Sequence, residues 1–133
     1  MNGNYKNKEQ IKTFLQSYQA LSDSIKILKN LLIDFEAEQN QSRIVLSGNP
    51  GTYQVDMEMT ELFSCIKNQL EEKNLICKII VKNVNEMESE TEKNILLLKY
   101  ISGYTWEEIS EVTNYSLRQV YNIHNHALEH FSL

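Results

Sequence analysis

Residues 112–128 contain no Asp or Glu, in a chain whose 133 residues carry 18 acidic and 13 basic groups. A solvated helix face selected for solubility alone would normally hold some acid. The stretch offers neutral hydrogen-bonding side chains, one arginine, and His124 and His126, with His130 just beyond. Three histidines invite a metal reading, and His126 and His130 are spaced to share a helical face. No third ligand lies close in sequence, so surface or DNA-facing histidines are the better reading and no metal is expected. Glu71-Glu72 and Glu107-Glu108 are neighbours whose side chains diverge on a helix, which suits solvated charge and not an acid–base pair. No nucleophile–base constellation appears. The chain is read as a non-enzyme without a cofactor.

The elements around this stretch are punctuated by caps. Ser89 with Glu92, Thr105 with Glu108, and Ser116 with Gln119 each have the spacing of a capping box. They open three helices: one with Ile95, Leu96, Leu98 and Ile101 that ends at Gly103, a short one with Ile109 and Val112 inside, and a last one with Val120, Ile123, Ala127 and Phe131 inside. Asn114 falls where a tight turn needs a left-handed residue. Two short capped helices joined by such a turn predict a helix-turn-helix, whose second helix conventionally enters the major groove. Trp106 is placed in the core of this trihelical unit. Tyr100, Tyr104, Tyr115 and Tyr121 are read as core bodies with surface hydroxyls.

Upstream, Ile11, Phe14, Tyr18, Leu21, Ile25, Leu28, Leu32 and Phe35 alternate spacings of three and four. This is a heptad seam on a helix roughly 45 Å long, which requires a partner helix. The partner is either internal or a second subunit, as in a homodimer. Residues 57–88 resume the period through Phe63, Ile66, Leu70, Cys77, Ile80, Val84 and Met87, and fold back on the first helix. Between them, around Ser47 to Gly51, stands the one proline. Arg43–Leu46 and Thr52–Val55 could pair there as a short hairpin, with a mobile linker over 40–56 as the alternative. Residues 1–88 are therefore a scaffold or oligomerisation region and residues 89–133 a helix-turn-helix domain. The expected class is all-α: a long helical hairpin or coiled coil followed by three short helices.

Four glycines and one proline are too few turns for a β sandwich or barrel. The net charge of −5 argues against a polybasic arm or a membrane-surface helix. No apolar run approaches a membrane span, and the polar first ten residues predict no signal peptide. Cys65 and Cys77 are read as buried thiols in a reducing cytoplasm.

The sequence Thr105-Trp106-Glu107-Glu108-Ile109, then Tyr115-Ser116-Leu117-Arg118-Gln119-Val120, then His126-Ala127-Leu128, resembles region four of bacterial primary sigma factors. With Leu98 to Tyr104 included it is similar to the ArpU-type phage transcriptional regulators, over about residues 93–131. The resemblance implies a sequence-specific DNA-binding regulator, a phage or prophage late-gene activator, with double-stranded DNA and RNA polymerase as partners. It places Ser116 at the cap of a recognition helix running from Leu117 to about Phe131. Arg118, Gln119, Tyr121, Asn122, Asn125 and His126 fall on its outward face as DNA-binding residues. Arginine can bind guanine with two hydrogen bonds, Asn or Gln can do so with adenine, and Tyr or Ser can reach phosphate. The departure from the family is charge. Sigma recognition helices are rich in Arg and Lys, whereas Arg118 stands alone here with the histidines. Residues 89–133 set Lys93, Lys99 and Arg118 against six glutamates. A module so short of cations should bind phosphate weakly. Protonated histidines are expected to supply part of the charge, so that binding tightens as pH falls from about 8 to 6. The other reading is a helical module that binds polymerase or another transcription factor without touching DNA.

Overall fold

The computed structural model describes the backbone of residues 2–45 and 51–133, and the side chains of residues 7–39 and 58–133. Helix α1 spans Asn2–Val45, α2 Gly51–Asn85, α3 Glu90–Leu96, α4 Trp106–Thr113 and α5 Leu117–His130. A single π-helical turn, Leu97–Ile101, prolongs α3. The described residues form an all-α protein, and none of their helices is long and apolar enough to cross a membrane. Arg43–Val45 close α1 and Thr52–Val55 belong to α2, so the short hairpin is not formed there. Two isolated strands are marginal in water, whereas adding a residue to an existing long helix carries no nucleation cost. Leu46 and residues 47–50 lie outside the described residues.

The chain divides into two compact units, Leu21–Lys73 and Met1–Ala20 with Asn74–Leu133. In the first, Ile25 and Ile66 are buried and Leu21, Leu28, Leu32 and Phe35 are half-buried. The inward stripe of α2 there runs Met59, Leu62, Ile66, Leu70. That register leaves Phe63, expected inside, half exposed, and Cys65, expected buried, exposed. Both cysteines are free, and only Cys77 is partly covered.

In the second unit, helices on both sides of residue 88 share one core. Ile11 and Leu15 of α1 meet Ile80 and Val84 of α2, Leu96 and Tyr100, Ala127 and Leu128 of α5, and Phe131 just after it. Leu15 lies off the heptad seam yet is fully buried. A helix with more than one neighbour needs a wider apolar stripe than a two-stranded coil. Ile95 and Leu96 are adjacent and both fully buried, because α3 is sandwiched: Ile95 joins Ile109 and Val120 in a second cluster.

The π turn ends against α1. Gln19 Nε2 donates to the carbonyls of Tyr100 at 3.2 Å and Ile101 at 3.1 Å, oxygens that a helix end leaves unpaired. Gly103 follows with φ of 76°, and a Cβ there would stand 3.1 Å from the Gln19 amide. Glycine therefore serves both the left-handed turn and the close approach of Gln19.

Candidate nucleic-acid interface

Local hydrogen bonds fix the two C-terminal helices. At the start of α4, Thr105 Oγ1 accepts from the Glu108 amide at 3.1 Å, and Glu108 Oε1 accepts from the Thr105 amide at 3.2 Å. Asn114 ends α4 in the left-handed region, with φ of 61°. At the start of α5, Ser116 Oγ accepts from the Gln119 amide at 3.1 Å, and Gln119 Oε1 accepts from the Ser116 amide at 2.8 Å. Both are complete capping boxes. Ser89 forms only half of one: its hydroxyl accepts from the Glu92 amide at 3.3 Å. The Glu92 carboxylate turns instead to His130 Nδ1, at 2.8 Å.

The inward stripe of α4 runs Trp106, Ile109, Ser110, Thr113, with Ile109 fully buried. Val112, expected inside, falls off that stripe and is 59% exposed. Helix α5 buries Val120, His124, Ala127 and Leu128. Its opposite side presents Arg118, Gln119, Tyr121, Asn122, Asn125 and His126, all exposed, as is the capping Ser116.

These side chains are not equally free. Ser116 and Gln119 hold one another in the cap, although the Gln119 amide nitrogen remains a donor. The Tyr121 ring meets Trp106 edge-on at 5.2 Å between centroids. His126 Nδ1 lies 3.6 Å from Glu129 Oε2, and the other oxygen of Glu129 takes Lys8 Nζ at 2.7 Å. That lysine holds the Glu129 carboxyl below its ordinary range. Arg118, Asn122 and Asn125 are left as the open centre of the face.

The three histidines part company. His124 is not a surface group: it lies on the core stripe, with Nε2 2.7 Å from the Tyr100 hydroxyl. Burial, and then the charges of Lys12 and Lys99, push its pKa down to about 4. Tyr100 is likewise no surface hydroxyl, and burial raises its pKa to about 12. His130 is exposed and bonded to the Glu92 carboxylate, which raises its pKa. Neither contact has a local signature, since the partners are 24 and 38 residues apart. Among the described residues, no three His, Cys, Asp or Glu side chains gather as a metal site. No protein-family model, curated protein or solved structure matches this chain.

Proposed function

We propose that the chain is a sequence-specific DNA-binding transcriptional regulator. In this reading α4 and α5 form a helix-turn-helix, α5 lies in the major groove, and α1 and α2 serve as scaffold or coiled-coil dimerisation region. The outward face of α5 carries the reading. It is free of acid from Leu117 to Leu128 and offers Arg118, Asn122 and Asn125, while the other face is locked into a core. Arginine and asparagine are the side chains that pair bidentately with guanine and adenine. The likeness to sigma region four and to ArpU-type regulators favours a phage or prophage late-gene activator. Selection from a randomised duplex library by the full chain tests the proposal. Enrichment of one motif is the expected result, and an unenriched pool would sink it.

Helix α4 favours a second reading. Glu107, Glu108 and Glu111 are exposed beside Val112. An acidic surface with an apolar centre repels phosphate and suits a protein partner such as RNA polymerase. Retention of core polymerase by the immobilised full chain, lost in Glu107→Lys and Val112→Asp, with no duplex enriched, would favour it.

A further inference from the structure

A chain of net charge −5 must find cations for a DNA backbone somewhere, and Arg118 alone is a poor source. The described residues near α5 include four lysines with different fates. Lys8 is neutralised by Glu129 at 2.7 Å, and Lys93 by Glu90 at 3.1 Å. Lys99 and Lys12 form no ion pair among the described residues. Lys99 Nζ instead sits 4.5 Å from the centroid of the Trp106 ring. An aromatic face attracts an ammonium group without cancelling its charge, so the full positive charge remains available to a further anion.

The ring is also what aims that charge. Trp106 packs edge-on against Tyr121 at 5.2 Å and against His124 at 4.7 Å. Together these contacts hold Lys99 Nζ within about 10 Å of the exposed Tyr121 ring, on the order of a Debye length. Lys12 comes from the other side. It lies one turn beyond Lys8, whose contact with Glu129 sets α1 beside the end of α5. The charges of Lys12 and Lys99 both act on the imidazole of His124, one turn past Val120. Two half-buried, unneutralised lysines from different elements therefore stand beside α5: Lys99 at the Tyr121 edge of its face through the Trp106 ring, and Lys12 on α1, one turn from the Lys8–Glu129 contact.

We infer that Lys99, held on the Trp106 ring, and Lys12 form a phosphate-binding edge that grips the DNA backbone beside α5. The inference rests on the DNA-binding reading and names its missing electrostatic half. Base contacts by Arg118 and Asn122 would set sequence preference, and the lysine edge would supply affinity for any duplex.

Anisotropy of a labelled mixed-sequence duplex, titrated with full chain at several salt concentrations, tests it. Each phosphate contact adds about 0.9 to the slope of log K against log salt. Lys99→Gln should weaken binding roughly fivefold and flatten the slope by about one, and Lys12→Gln with Lys99→Gln by about two. Lys99→Arg keeps the charge and the ring contact and should keep the slope. Melting curves matching the wild type exclude a loss through unfolding. A wild-type slope in the folded double variant overturns the lysine edge and leaves the DNA-binding reading standing. A wild type that binds no duplex at low salt overturns both.

Discussion

The Tyr100 hydroxyl and His124 Nε2 lie 2.7 Å apart and join the π turn after α3 to the middle of α5. The pair sits under the proposed reading face, so it fixes how α5 is presented. Its imidazole titrates near 6.5 when the chain is unfolded and near 4 when it is folded. Above pH 6.5 both states are neutral and the contribution to stability is complete. As pH falls from 6.5 towards 4, only the unfolded state takes up the proton, and stability declines by about 3 kcal/mol. Urea unfolding between pH 7.5 and 4.5 measures this. Tyr100→Phe combined with His124→Leu removes the titration without leaving an unpaired polar group, so its profile should be flatter. Tyr100→Phe alone leaves His124 buried without its partner and should cost about 1–3 kcal/mol at pH 7.

His130 behaves in the opposite sense. Its pKa is raised in the folded chain by the bond to Glu92, so the pair stabilises fully below about pH 6.5. That contribution disappears as pH rises through the raised folded value. Glu92→Gln should lower the melting temperature more at pH 5.5 than at pH 9, and histidine titration by NMR should find a lower His130 pKa in the variant. Equal losses at both pH values would remove the charge from the argument. With His124 buried in the core and His130 bonded to Glu92, His126 is the one of the three histidines left on the proposed DNA face.

Arg118 and Asn122 stand one helical turn apart on the exposed side of α5. Arg118→Ala or Asn122→Ala should each weaken binding to a selected duplex by about 1–3 kcal/mol. Binding to unrelated duplex should change less. Unaltered discrimination in both variants would exclude these side chains from base reading.

Ile25 is buried in the unit Leu21–Lys73. A carboxylate there loses its hydration, so Ile25→Asp should cost several kcal/mol or split an oligomer. Sedimentation equilibrium distinguishes the two, because only an oligomer loses mass. A variant unchanged in mass and melting temperature would mean that the seam is not a packing surface.

What could be read from the sequence was what is decided within a few residues. The boxes at Thr105 and Ser116 and the left-handed Asn114 each close over three or four positions, so their spacing is nearly the whole explanation. The box at Ser89 has the same spacing and fails, because His130 competes for Glu92 from the far end of α5. Tyr100 and His124 meet through an α-helix that changes to a π turn, and no residue in Leu97–Ile101 signals that change. Val112, Phe63 and Cys65 each stand one position of helical register off the inward stripe, which apolar spacing alone does not fix: in α4 the polar Ser110 and Thr113 complete that stripe, and in α2 the apolar neighbours Leu62 and Ile66 take it instead. The charge available to α5 was hidden for another reason. Lys12 and Lys99 belong to other elements, and only packing reveals which lysines keep their charge and which are neutralised by Glu90 or Glu129.

The turn between α4 and α5 allows a test of local geometry without removing a core contact. Asn114 is exposed and is the only described non-glycine residue with positive φ. An L-residue with a Cβ pays about 1–2 kcal/mol in the left-handed region, an amount asparagine reduces and glycine avoids. Asn114→Gly should therefore change stability by only a few tenths of a kcal/mol, whereas Asn114→Val should lose about 1–2 kcal/mol, with the branched side chain adding to the strain. Thermal melts of the two variants measure the difference. Since the turn sets the angle at which the Ser116 cap begins α5, Asn114→Val should also weaken duplex binding at a temperature where it remains folded, and Asn114→Gly should bind like the wild type. Equal stability of the two variants would show that the turn relaxes into another conformation and does not hold α5 in place.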